Sequence, residues 1–504
     1  MERKIRALSK SKLLAFLQCP KRLWLEVHRP NLRFDSSATQ ARFSVGHKVG
    51  QISQKIYDPD GSAALINLHE EGFDAALART ESLLQTTKPI FEAGFKAGGV
   101  IAFADVMLPI NEAGLQRWRV IEVKSSATIK DYHRDDAAIQ AFVVRACGVS
   151  LSAIAIAHID SSWTYTGDDD YRGLLLEHDV TEEALGREEE VRSWIAESEL
   201  IITKPEEPAI KTGKQCGKPF PCGFLAHCQS REPLLDESIK WLPGPMSNKL
   251  RSHIENNHVT ELRDVPDNLL NNKQKRVKTA TLSGKRYFNQ AATERVLAHY
   301  RPPFYFIDFE TISLPVPIWR GTRPYQQIPF QFSVHHLVQM NELDHYQFIE
   351  LSGQDPSRKF AESLIAACGE SGPVFVYNAA FEASRVRELS VRFPTLEKTL
   401  QALIRRMVDL LPLVREHYYH PDQKGSWSIK AVLPTFCPSL DYENLTGVKD
   451  GSTAMDAFLE AVSPQTSKTR KEEIQQQLLA YCEMDTLAMV RLWSVLSGLT
   501  ISAR

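Results

Sequence analysis

Two groups of acids in this sequence stand at spacings that suit a divalent metal ion. In GGVIAFADVMLPI and WRVIEVKSS, strand-like runs flank the polar, glycine-containing NEAGLQR, the pattern of a β-hairpin. A turn centred near residues 113–114 sets Asp105 opposite Glu122, and Lys124, two residues on, projects from the same face. Two carboxylates and a lysine suit metal-assisted phosphodiester hydrolysis. The acids hold Mg²⁺ or Mn²⁺ through oxygen, and the lysine orients water or offsets phosphate charge. An edge hairpin with solvated charges is the plain alternative. In the second group, FYFIDFET places Asp308 and Glu310 at i and i+2, on one face of a buried strand. PVFVYNAAFEASRVREL reads as strand, loop and a helix carrying Glu382. In LLAYCEMDTLAMVRLW, Tyr481 and Asp485 are i and i+4 on one helix face. Carboxylates converging from a strand and two helices are what a two-metal phosphodiesterase needs, with Tyr481 placed to orient water. Asp409, in RMVDLLPLVRE, is a fallback acid.

Cysteines make a third group. Cys216, Cys222 and Cys228 follow the spacing C-x5-C-x5-C, and Cys19 lies in SKSKLLAFLQCPKRLWLE. Four thiolates hold either zinc or an iron–sulfur cluster, and spacing does not choose between them. Buried free thiols are a third reading. Cys147, Cys368, Cys437 and Cys482 lack partners at ligand spacing and read as core thiols.

The elements that must position these residues fall into zones. The chain has 504 residues, 43% of them hydrophobic and 24% charged, as in folded globular protein. Residues 1–230 alternate helical and strand-like patterns and end in KQCGKPFPCGFLAHC. Residues 231–300 are polar and basic and read as short helices, and residues 301–504 return to strand, loop and helix. An α/β class follows. Sixty Lys and Arg against 62 Asp and Glu leave a charge of −2, which excludes a polybasic tail but not a local basic groove. The N-terminus lacks a secretory apolar core, and no run is long enough to span a membrane, so a cytoplasmic protein without a membrane partner is expected. In the connector, Lys249, Arg251, Lys273, Lys275, Arg276, Lys278, Lys285 and Arg286 are either a solvated face or a phosphate track. Trp319, Tyr325 and Trp427 are candidates to stack on bases, although aromatics are more often core.

The run D-x16-E-V-K resembles the PD-(D/E)XK core of RecB-like nucleases. FSVGHKVG resembles the helix on which those enzymes carry a metal-ligating histidine, here His47, and DDAAIQAFVVRA their glutamine helix, here with Gln140. The family's tyrosine four residues further on is Val144. The one-plus-three cysteines around such a core resemble the iron–sulfur nucleases of the AddB and CRISPR-adaptation types, though the usual C-x-x-C pair is absent. That likeness implies a structural [4Fe-4S] cluster, with zinc as the alternative. IDFET, YNAAFE and YCEMD resemble the three motifs of the DEDD exonucleases, which have an RNase H-like fold, with Glu382 standing where that family has Asp. GTRPYQQIPFQFSVHH is similar to a bacterial family of uncharacterised domains found fused to RecB-like nucleases. Together these likenesses imply a nuclease with two metal centres, with DNA favoured over RNA and single strands or ends as the preferred sites. Repair, recombination or defence would be its setting. The rival expectations are one active centre beside a nucleic-acid clamp, a non-catalytic, redox-sensing DNA-binding protein, and RNA as the substrate, since DEDD-type sites process both polymers.

Overall fold

Alternating apolar residues through 90–124 build a meander at the heart of the first sheet. The computed structural model describes residues 8–233, 237–339, 342–438, 440 and 442–501. The chain forms two compact units, one of residues 1–233 with 314–326, the other of 234–313 with 327–504. The architecture is mixed α/β, and no described helix is long and apolar enough to cross a membrane.

In the first unit the strands are β1 (Leu8–Ser9), β2 (Ala64–Leu65), β3 (Ile90–Ala97), β4 (Val100–Glu112), β5 (Leu115–Lys124), β6 (Leu151–Ile159) and β7 (Leu175–Asp179). They run β2-β3-β4-β5-β6-β7, with β1 paired to β4. β3, β4 and β5 are antiparallel, and β5 and β6 are parallel. The β4–β5 turn is the two-residue Ala113-Gly114, both with positive φ (52° and 84°), the backbone that matches strand twist in a tight hairpin. The crossover from β5 to β6 is the helix Asp131–Ala146, buried at every position from Asp136 to Val144. A helix buried all round belongs to the core, and Ile139, Phe142, Val143 and Val144 pack there with Leu13, Ile90 and Val120. Val144 presents a branched aliphatic side chain there, wholly inaccessible. Val144→Tyr is expected to overpack this core and to cost about 1–3 kcal/mol, read as a lowered urea midpoint at unchanged slope.

In the second unit a two-stranded pair joins β8 (Tyr287–Phe288) to β14 (Tyr418–Tyr419). The main sheet holds β9 (Phe304–Ser313), β10 (Gln327–Gln339), β11 (Glu342–Ile349), β12 (Val374–Val376) and β13 (Met407–Asp409), in the order β11-β10-β9-β12-β13. The first three are antiparallel, while β12 runs parallel to β9 and β13 to β12. Both faces of β9 are covered, which explains its nearly continuous apolar run. Tyr305, Ile307 and Phe309 pack with Phe360, Leu364 and Val386 on one face. Phe304 and Phe306 pack with Met489, Val490 and Trp493 of the helix Lys468–Ser497 on the other. Asp308 and Glu310 continue the Phe304–Phe306 row, so the period of two delivers both acids beneath that long helix.

Candidate functional sites

In the first unit the β4–β5 register brings Val106 opposite Ile121, so the neighbouring pair Asp105 and Glu122 shares one row. Asp105 accepts the Val123 N–H through Oδ2 at 2.6 Å. Glu122 is buried, and its Oε1 lies 2.8 Å from the Nζ atoms of both Lys124 and Lys10. Lys124 also pairs with Asp136, and Lys10 Nζ lies 3.1 Å from Asp136 Oδ1. Burial, then the nearby Asp105 and Asp136, push the Glu122 carboxyl up to about 7. Asp136 is buried as well, but the two ammonium groups hold it well below the usual carboxylate range.

Gln140 is fully buried, and neither its amide nitrogen nor its oxygen has a hydrogen-bond partner within the protein; the same holds for Glu122 Oε2. Orphaned polar atoms beside a carboxylate row are what a bound ion or its water would satisfy, so the donors fit a hard oxygen-seeking cation. His47 is exposed on the helix Ser37–Tyr57 and is not joined with Asp105 and Glu122 in any three-ligand group within 4.8 Å among the described residues. Sequence reading passed over Lys10, Glu92 and Asp136. Asp136 was findable, since it precedes Gln140 by one helical turn. Glu92 falls between the pairs Phe91–Val106 and Ala93–Ala104, hence in the row of Asp105, with a positive φ of 56°. Lys10 arrives from a distant part of the chain and left no local signal.

The four cysteines are in no disulfide and line one small pocket with Lys21, Arg22 and Phe224. Cys222 N–H donates to the Cys216 carbonyl at 2.9 Å. The Gln18 amide, from the first helix, donates to the Gln215 and Phe220 carbonyls at 2.6 and 2.7 Å. The N-terminal helix is thus stitched to the cysteine-rich loop. Burial raises the Cys228 thiol to about 11, so loading a metal here would release protons, with Lys21 beside it to offset thiolate charge.

In the second unit, one oxygen from each of Asp308, Glu310 and Asp485 lies within 4.8 Å of the others. They line an open cleft of about 470 Å³ together with Gln327, Lys430 and Tyr481. Tyr442 donates its hydroxyl to Asp485 Oδ1 at 2.7 Å, and Lys430 Nζ donates to the Tyr481 hydroxyl at 3.0 Å. Burial, then Asp485, pushes Glu310 up to about 8, and burial pushes Glu382 to about 8. Asp308 is raised strongly by burial and by Asp485, Glu310 and Glu382. Packing several carboxylates together away from water is costly unless a cation joins them, so these donors too fit Mg²⁺ or Mn²⁺.

Glu382 stands in the first turn of the helix Ala379–Arg392, buried, with Oε2 unpartnered, and lies outside the trio of ligand oxygens. Asp409 has a different role. Its carboxylate accepts the N–H groups of Asn378, Ala379 and Leu411 at 2.9–3.0 Å, fixing the loop that presents Glu382. Lys430 and Tyr442 went unread, since neither stands at a spacing that ties it to the acids. Of the connector's cations, Lys278 is tied to Asp267 at 2.7 Å and Arg276 stacks on Tyr287, while Lys249, Arg251, Lys275, Lys285 and Arg286 are exposed. Trp319 and Trp427 are buried, Trp427 donating to the Tyr418 carbonyl at 2.9 Å, so both are core residues.

Residues 305–428 match a family described as a domain of unknown function, DUF2779. That stretch includes Asp308, Glu310 and Glu382 and stops short of Tyr481 and Asp485. The chain is also similar to the uncharacterized protein MG366 of Mycoplasma genitalium, at 25% identity over 206 residues. The alignment covers 37% of this chain and 30% of that relative's length.

Proposed function

We propose that this protein is a metal-dependent nuclease that hydrolyses phosphodiester bonds, DNA being the favoured polymer and single strands or ends the favoured sites. The observation that carries the reading is the trio Asp308, Glu310 and Asp485, whose ligand oxygens lie within 4.8 Å at the wall of an open cleft. These residues, joined by Glu382, would hold Mg²⁺ or Mn²⁺, which when bound supplies positive charge for the scissile phosphate and an acidified water. The protein's own contribution is orientation. Tyr442 fixes the Asp485 carboxylate, and Lys430 fixes the Tyr481 hydroxyl at the cleft wall. The strand order β11-β10-β9-β12-β13, with the first acid on the central strand, supports an RNase H-like reading of this unit.

A PD-(D/E)XK reading of the first unit rests on the meander, the parallel β5–β6 pair and the row of Asp105, Glu122 and Lys124. In that centre Lys124 and Gln140 would orient water and phosphate around a second Mg²⁺ or Mn²⁺ site. Zinc would need its sulfurs roughly 3.8 Å apart, from Zn–S bonds of about 2.3 Å. The four cysteines gathered at one pocket are the ligand set for a structural [4Fe-4S] cluster, with zinc as the alternative.

A cleavage time course on single-stranded DNA, labelled separately at each end and run with Mn²⁺, tests the whole reading. Lys124→Ala and Asp308→Ala are each expected to remove a distinct set of products. Loss of products from one variant alone would reduce the other centre to a nucleic-acid clamp. No cleavage of DNA or RNA by the wild type would leave a binding protein and sink the proposal.

A further inference from the structure

A second polar cluster lies under the helix Lys468–Ser497. His335 on β10 and His345 on β11 are directly paired across the ladder, and their rings sit 4.6 Å apart, tilted by 32°. One ligand atom from each histidine and one from Glu483 lie within 4.8 Å of one another. His335 is buried, whereas His345 and Glu483 are partly open, so an ion could enter from solvent.

The hydroxyls behind the rings are all satisfied by one set of tautomers suited to metal binding. Thr486 donates to the Glu483 carbonyl at 3.0 Å, the usual back-bond of a helical threonine. Its oxygen is then left to accept, from His335 Nδ1 at 2.8 Å and from Ser333 Oγ at 2.7 Å. Ser333, having given its proton to Thr486, accepts from His345 Nε2 at 2.8 Å. In that set His335 carries its proton on Nδ1 and His345 on Nε2, which leaves a lone pair on His335 Nε2 and on His345 Nδ1. The latter stands 3.9 Å from Glu483 Oε1. Fixing each imidazole through its far nitrogen is how proteins prepare histidine as a metal ligand.

We infer that His335, His345 and Glu483 form a site for one divalent transition-metal ion of the zinc class, separate from the carboxylate trio. Two imidazoles and a carboxylate with a fourth position open match that class, and ligand atoms around such an ion stand roughly 3–3.5 Å apart, within reach of small side-chain shifts. The ion would fasten β11, the edge strand of the sheet, to the helix that carries Tyr481 and Asp485.

Cobalt(II), a spectroscopic stand-in for zinc, provides the test. The full chain, stripped with EDTA and carrying Asp308→Asn and Glu122→Gln to disable the two carboxylate centres, is titrated with Co²⁺. An equivalent with weak visible ligand-field bands is expected, free of the strong near-ultraviolet absorption that thiolate ligation at the cysteines would give, and displaced by Zn²⁺. His345→Ala should abolish it, and Glu483→Gln should weaken it at least tenfold, with an unchanged circular dichroism spectrum in both. Both altered residues are partly exposed, which protects the fold. The inference fails if these variants titrate like their parent, or if the parent shows thiolate-bound cobalt alone. Neither outcome depends on cleavage, so failure here leaves the proposed nuclease activity standing.

Discussion

Asp308→Asn is expected to lower the proposed metal-dependent cleavage by the second unit at least 100-fold and, in the metal-free protein, to raise the melting temperature. The two effects share one cause. Asp308 lies within ligand distance of Glu310 and Asp485 and feels Glu382 as well, so its charge is useful with a cation present and a burden without one. Removing an outer partner of a metal ligand typically costs 10–100-fold, and loss of a ligand itself should exceed that. An amide of the same shape relieves the repulsion without opening a cavity. End-labelled product analysis and thermal melts in EDTA would check the pair. A variant that loses activity and also melts lower would point to a damaged fold rather than to a lost ligand.

The pH dependence has the same origin. Glu310 and Glu382 are pushed up to about 8 in the folded chain, against an ordinary value of about 4.3. Between those limits the folded state binds more protons than the unfolded one, so metal-free stability falls as pH rises and levels off above about 8. A cation competes for the same oxygens, so Mn²⁺ affinity should climb across that window. Asp308→Asn should flatten the stability slope. A metal-free melting temperature that rises from pH 5 to pH 8 would contradict the buried-carboxylate account.

What could be read from the sequence was whatever has a short period. The i, i+2 acids of β9, the i, i+4 pair Tyr481–Asp485 and the hairpin register that aligns Asp105 with Glu122 are local consequences of strand and helix geometry. The convergence of Cys19 with three cysteines late in the first unit was legible because thiols are few and their partners countable. Residues that act at a distance were not. Lys10 reaches Glu122 and Asp136 from the first helix, Tyr442 reaches Asp485 from a short turn, and neither carries a motif. Asp409 was an acid at a plausible place, and only the three N–H groups around it reveal a structural duty. His335 and His345 looked like ordinary strand residues until their cross-strand pairing placed them under Glu483.

In the first unit, Lys124→Met and Glu122→Gln should separate stability from chemistry. Lys124 is paired with Glu122 and Asp136 in a site where these side chains are at most 17% exposed. Its removal leaves Lys10 alone to neutralise two buried acids, and breaking such a pair costs about 3–5 kcal/mol. Lys124→Met should therefore lose both the cleavage assigned to this unit and much of its stability. Glu122 differs, because burial and its acidic neighbours already raise it to about 7, so near neutral pH it carries only part of a charge. Both lysines would still have the firmly ionised Asp136 as a partner. Glu122→Gln should thus leave the unfolding free energy within about 1 kcal/mol of wild type, the scale of a single hydrogen bond. It should nonetheless remove the same products as Lys124→Met, since an amide is a far poorer ligand for a hard cation. Full cleavage by a folded Glu122→Gln would show that this row of charges holds the sheet to its helices and does no chemistry. A stable but inactive Glu122→Gln beside an unstable, inactive Lys124→Met is the pattern that only a metal centre braced by a lysine produces.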